Sequence, residues 1–191
     1  GAFLKSSPEI DLPDLQFVFT PASYTEGMIG KLQNIPGITC GVWQSRPQSR
    51  GYVRALSSHI KDAPLIQPNY LKETIDQDVL IQGVKICRDL LKTSNMKKIS
   101  IKETLPGENI KTDSEILNFI KNNGATVYHA IGSCRMGIDK DAVVDANLKL
   151  NGVENLRVAD ASIMPTMPSG NTNAATLMIA EKASDLIKKD M

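Results

Sequence analysis

Hydrophobic periodicity changes partway along this chain, and that change constrains its fold more than any other feature. In Asp14-Leu15-Gln16-Phe17-Val18-Phe19-Thr20 every second side chain (Leu15, Phe17, Phe19) falls on one face, with prolines at 13 and 21. Alternation of this kind specifies a strand with one buried face. Residues 38–44 and 51–56 read as further strands around the turn-prone Arg46-Pro47-Gln48-Ser49-Arg50, and a short extended segment covers 64–68. Residues 22–34 contain Gly and Ser and read as irregular. Beyond residue 73 the spacing becomes helical. Thr74-Ile75-Asp76-Gln77 predicts a capping box, followed by an apolar stripe of Ile75, Val79, Gly83, Val84, Ile86, Cys87, Leu90 and Leu91. A second capping box, Thr112-Asp113-Ser114-Glu115, opens a helix through Ile116, Leu117, Phe119 and Ile120 that Gly124 is placed to end. A last helix is expected over about 173–189, with lysines in its final turn that suit the helix dipole. Strands followed by helices predict an α+β fold, a mostly antiparallel sheet with flanking helices, and not repeating βαβ units.

Composition excludes several classes of function. The chain has 191 residues, 41% hydrophobic and 23% charged, with a formal net charge of +1. That is an ordinary globular composition, with no charge excess to favour nucleic acid or an anionic membrane. No apolar run reaches bilayer-spanning length, and the first residues do not form a secretory leader. Cys40, Cys87 and Cys134 are odd in number and far apart, and only His59 and His129 could join them, so neither a zinc site nor a disulfide framework is expected. Cysteine usage of this kind points weakly to a reducing, cytoplasmic setting.

The chemistry concentrates in residues 126–182. Histidine has the ordinary pKa nearest neutrality and is the default general base, and His129 follows a short apolar segment, Thr126-Val127-Tyr128. Gly132, Ser133 and Gly137 follow closely and permit near approach of the backbone to another group. The segment Leu156-Arg157-Val158-Ala159-Asp160-Ala161 reads as a short strand ending in an acidic residue. Ser169-Gly170-Asn171-Thr172-Asn173 immediately precedes the last helix, whose first-turn amides attract negative charge. Taken separately, each of these has an ordinary structural reading: a hydrogen-bonded core histidine, a turn cap, a helix N-cap.

Taken together, they resemble the C-terminal signature of the glucose-methanol-choline (GMC) oxidoreductases, choline dehydrogenase-like branch. The matching pieces are Tyr128-His129, Gly132-Ser133-Cys134-Arg135-Met136-Gly137, Val143-Val144-Asp145, the run from Leu156 to Pro165, and Gly170-Asn171-Thr172-Asn173-Ala174. Arg46-Pro47-x-Ser49-Arg50-Gly51 and Pro68-Asn69-Tyr70-Leu71 resemble landmarks of the substrate domain. The resemblance implies an FAD-dependent enzyme that oxidises the CH–OH group of a small-molecule alcohol by hydride transfer. It also implies that His129 and Asn171 are the catalytic pair at the hydroxyl. Asp160 and Ala161 are then expected to approach FAD, and Thr172 and Asn173 to face its pyrimidine ring.

No Gly-x-Gly-x-x-Gly follows a strand in this sequence, so the dinucleotide-binding start of such a fold is not encoded here. The expectation is a C-terminal piece, with residues 1–125 forming the substrate-binding domain and 126–191 carrying the catalytic segments back to an FAD-binding domain. Such a piece should be inactive without its N-terminal FAD-binding part. The alternative is a non-catalytic remnant or binding module of a split gene. A Ser/His hydrolase is disfavoured because Gly132-Ser133-Cys134-Arg135-Met136 is not a nucleophile elbow.

Overall fold

The computed structural model describes residues 1–25 and 31–190. Of the irregular stretch expected at 22–34, residues 26–30 therefore lie outside the described residues. Tyr24 and Leu32 on either side form an isolated antiparallel bridge.

The fold is α+β, as the change of period requires, and the chain divides into two compact units. The first comprises residues 1–50 and 69–126, the second residues 51–68 and 127–191. In the first unit, β1 (Ala2–Leu4), β2 (Leu15–Thr20) and β3 (Thr39–Gln44) form an antiparallel sheet with β2 in the centre. β1 carries no alternation long enough to be recognised in the sequence. Register places Leu15 opposite Gln44, Phe17 opposite Val42 and Phe19 opposite Cys40. That face meets α1 (Thr74–Leu91), and Leu15, Phe17, Val79 and Cys87 form the core, with Cys40, Val42 and Ile86 packed around it. Leu15 and Phe17 are fully buried, but Phe19 is exposed. A glycine in mid-helix ordinarily costs stability. At Gly83 it permits close approach, because a Cβ there would lie 2.8 Å from Val42 Cγ2 and 3.2 Å from Leu15 Cδ2.

The start of α1 differs from the expected capping box. The N-cap position is Glu73, with no side-chain cap, and Thr74 lies inside the helix. Gln77 donates to the Leu71 carbonyl instead of reaching back. Asp76, in the first turn, is turned inward and buried. Its carboxylate accepts from the amides of Gln48 (2.8 Å) and Ser49 (2.7 Å), the Ser49 hydroxyl, and Gln44 Nε2 (3.0 Å). The Ser49 hydroxyl in turn accepts from the Glu73 amide. The Arg46–Arg50 loop thereby supplies the partners that a capping box would have supplied, and the stripe rotates so that Ile75 is exposed. Burial alone would push the Asp76 carboxyl up, but donation from Gln48, Ser49 and Gln44 outweighs it and holds the group below its ordinary value.

The second capping box forms as expected. Thr112 Oγ1 accepts from the Glu115 amide and Glu115 Oε2 accepts from the Thr112 amide at the start of α2 (Asp113–Asn123), which ends at Gly124. Helix α2 packs against α1, and Lys85 pairs with Asp113 at 2.6 Å.

In the second unit β4 (Tyr52–Arg54) and β5 (Leu65–Gln67) form an antiparallel hairpin whose residues are all exposed. Gly51 lies against β5 so closely that a Cβ would fall 2.1 Å from the Gln67 carbonyl oxygen. The core of this unit consists of Val144, Leu148, Ile163, Met164, Ile179 and Ala183. Ile179 and Ala183 come from α3 (Asn173–Lys189), whose span matches the sequence expectation. The strand expected at 156–161 does not form. Arg157 makes one isolated bridge with Lys149, and Ala161–Ile163 is a 3-10 turn. The reason is local: Asp160 Oδ1 caps the Ser162 amide at 2.8 Å and bends the chain into that turn. No helix among the described residues is long and apolar enough to cross a membrane.

Candidate active site

Three of the residues singled out in the sequence meet in the second unit. The polypeptide carrying His129 has no regular secondary structure, so its position is set by backbone bonds further along. The Cys134 amide donates to the Ser162 carbonyl at 3.0 Å and the Met136 amide to the Ile163 carbonyl at 2.8 Å. Those bonds tie the segment after His129 to the 3-10 turn, and the turn packs against α3. The core beneath them therefore fixes the start of α3 relative to His129. Tyr128 precedes the histidine with φ +62°, a left-handed conformation that a tyrosine rarely adopts and that costs on the order of 1–2 kcal/mol. Backbone strain of this kind persists only where surrounding structure imposes it, and here it aims the imidazole. Gly132, at φ +83°, takes the second left-handed position in the same segment.

Both ring nitrogens of His129 have partners. Asn171 Nδ2 lies 2.8 Å from Nε2, and Thr172 Oγ1 lies 3.0 Å from Nδ1. An amide nitrogen can only donate, so Nε2 is the acceptor and carries the lone pair. In the neutral ring the proton is then on Nδ1, which donates to the Thr172 hydroxyl. The two partners bind opposite edges of the ring and fix its tautomer and orientation, the arrangement required of an imidazole acting as a base. His129 is half-buried, Asn171 exposed and Thr172 buried. The ring is thus held from below and open towards Asn171.

Thr172 occupies the N-cap position of α3 but does not cap it. Its hydroxyl is committed to His129, while its carbonyl accepts from the Thr176 amide at 2.9 Å. The first-turn amides of α3 consequently have no side-chain cap, and Asn173 and Ala174 are exposed. This donor set fits a carbonyl-rich, electron-accepting ring edge such as the flavin pyrimidine. Asp160 is exposed, with its carboxylate bonded to the Ser162 amide, and Ala161 is half-buried against the core of the unit. Among the described residues no cluster of side chains could hold a metal ion.

Two features had no signature in the sequence. A tyrosine gives no sign of a left-handed backbone. The hydrogen bond of the Thr172 hydroxyl to His129 depends on packing of α3 that periodicity cannot reveal.

Comparison with known proteins places this chain in a family. The GMC oxidoreductase family model matches residues 47–180. The chain is 44% identical over 193 residues to the alcohol dehydrogenase [acceptor] of Pseudomonas putida, an alignment covering 100% of this chain and 35% of that protein. It is 40% identical over 191 residues to the mitochondrial choline dehydrogenase of Homo sapiens, covering 98% of this chain and 32% of that protein. Among solved structures it superposes on pyridoxine 4-oxidase from Mesorbium loti with a TM-score of 0.86 at 30% identity, covering 96% of this chain and 36% of that one. The chain belongs to the GMC oxidoreductase family. The FAD-dependent oxidoreductase from Chaetomium thermophilum, on which 81% of this chain superposes with a TM-score of 0.74 at 31% identity over 27% of that one, uses the cofactor that the sequence resemblance implied. The chain spans about a third of the length of the curated relatives it matches.

Proposed function

We propose that this chain supplies the alcohol-facing part of an FAD-dependent oxidoreductase that oxidises a CH–OH group, with His129 and Asn171 acting on the hydroxyl. The observation that carries this reading is the meeting of one acceptor and one donor at a single point, Nε2 of His129 and Nδ2 of Asn171, 2.8 Å apart. An alcohol hydroxyl needs that complement, since it gives one hydrogen and accepts others. Entering between the two, it donates to Nε2 and accepts from Asn171.

Loss of hydride alone would leave a positively charged, protonated carbonyl, so the hydroxyl proton has to leave as well; its departure puts alkoxide charge on the oxygen, which drives hydride from the carbinol carbon. Nε2 takes that proton, and the Asn171 amide stabilises residual charge without competing for it. Thr172 keeps Nδ1 protonated and the ring aimed, so Nε2 stays available as the base. FAD, when bound, accepts the hydride. The residues that would hold it are Thr172 and Asn173 at the uncapped start of α3, through backbone amides, together with Asp160 and Ala161 at the start of the 3-10 turn.

The further partner is an N-terminal FAD-binding part. Three observations support it: the share of its relatives that this chain spans, the lack of a Gly-rich dinucleotide motif, and bare apolar surface. Val53, Ile66, Leu177 and Met178 are each at least half exposed. A two-stranded hairpin such as β4–β5 is not stable alone in water. On this reading residues 1–125 serve the substrate and 126–191 carry the catalytic segments.

Anaerobic mixing of the intact, FAD-loaded protein with a panel of primary alcohols, choline included, tests the function. Loss of oxidised-flavin absorbance with at least one alcohol is expected, and no reduction by any of them would remove the reading. The role of Thr172 is tested separately. Thr172→Val keeps the side chain's shape and leaves Nδ1–H unpartnered, so flavin reduction should slow about 10-fold at unchanged FAD content. Thr172→Ser should recover most of the rate. Equal rates for Thr172→Val and the unmodified protein would show that the ring needs no support from behind.

A further inference from the structure

Outside this site, one pair of reactive side chains lies closer than packing alone requires. Cys40 on β3 and Cys87 on α1 are both free thiols, with their sulfurs 3.0 Å apart. The two cysteines are 47 residues apart in the sequence. The approach has a backbone cause one helical turn away, because Gly83 lets α1 sink onto β3 at Val42. Cys87 is buried, whereas Cys40 is half-buried and accessible to a small reagent. The candidate active site uses neither residue.

We propose that Cys40 and Cys87 form an oxidisable dithiol, which a peroxide converts into a disulfide joining the central sheet to α1. In the first step the Cys40 thiolate attacks one peroxide oxygen. A sulfur–oxygen bond forms, the oxygen–oxygen bond breaks, hydroxide leaves, and Cys40 becomes a sulfenic acid. In the second step Cys87 attacks the Cys40 sulfur. The sulfur–sulfur bond forms, the sulfur–oxygen bond breaks, and water leaves with the proton of Cys87. The sum is two thiols and one hydrogen peroxide giving one disulfide and two waters.

The roles follow from the surroundings. Cys40 is the more exposed of the two, and donation from Cys87 holds its thiol below its ordinary value, so Cys40 is the sulfur placed to attack first. The hydrogen bond to Cys40, together with burial, pushes Cys87 up, so Cys87 stays protonated until its neighbour has been oxidised. Closing the contact to a bond of about 2.05 Å requires the sulfurs to approach by roughly one ångström, within reach of side-chain rotation.

The test uses the intact protein treated with limiting hydrogen peroxide, then alkylated and digested without reductant. Mass spectrometry should find the Cys40 and Cys87 peptides joined, lighter by two hydrogens, and separated again by dithiothreitol. Closing this loop should raise the Tm of the oxidised protein by roughly 10 °C. Cys40→Ser and Cys87→Ala should each abolish that rise. Cys40 found as a sulfinic acid beside an alkylated Cys87 would overturn the proposal, as would both peptides recovered unlinked. Both readouts can be made on the unsubstituted protein, so they hold even if a variant fails to fold.

Discussion

Replacing His129 with alanine is expected to slow reduction of bound FAD by an alcohol by about three orders of magnitude while FAD content stays the same. The imidazole is the one group of the site positioned as a proton acceptor, because Asn171 donates to it and Thr172 accepts from it. Without it the hydroxyl proton must pass to solvent, and the Asn171 amide alone cannot take it. A positioned base contributes roughly 10²- to 10⁴-fold, which sets the size of the loss. FAD content should not change because the proposed cofactor contacts lie at Asp160, Ala161 and the start of α3. Rapid-mixing absorbance of the anaerobic protein measures the rate directly. A His129→Ala protein that reduced its flavin within a few-fold of normal would remove the imidazole from the role of base.

The second large effect concerns stability. Asp76→Ala should destabilise the first unit by about 3 kcal/mol, because it leaves the Gln48 and Ser49 amides and Gln44 Nε2, all partly shielded from water, without their acceptor. In a domain of this size that lowers Tm by roughly 10 °C. Asp76→Asn, which keeps one acceptor oxygen, should lose less. The effect has a pH signature of definite sign. The folded carboxyl is held below its ordinary value of 3.8, so the stability it contributes is complete above about pH 4 and is lost as the pH falls through the folded value. Thermal unfolding between neutral pH and pH 3 should show this decline in the unsubstituted protein and a shallower one in Asp76→Asn. Parallel curves would place the stabilisation elsewhere.

Much of the fold was legible because it rests on local rules. Alternation at Leu15 and Phe17 marked the central strand, and the capping box at Thr112 and Glu115 marked the start of α2 to the residue. Where the sequence misled, a tertiary partner displaced a local one. Thr74 to Gln77 has the composition of a cap, yet Ser49 of the preceding loop satisfies that end and turns Asp76 into the core. Leu156 to Ala161 has strand composition, yet Asp160 capping Ser162 bends it into a turn. The three cysteines looked isolated because sequence separation says nothing about how closely Gly83 lets α1 approach β3. At the candidate site, motif order was enough to single out His129 and Asn171. That Thr172 stands behind the ring depends on how α3 packs over Ile163 and Met164, and only coordinates show it.

The most direct measurement is a structure of the intact protein with FAD and a non-reacting alcohol analogue bound. Its hydroxyl oxygen should lie about 2.6–3.2 Å from both His129 Nε2 and Asn171 Nδ2, with its carbinol carbon towards the flavin ring. An analogue whose oxygen contacts neither side chain, while His129 and Asn171 remain bonded to one another, would contradict the account.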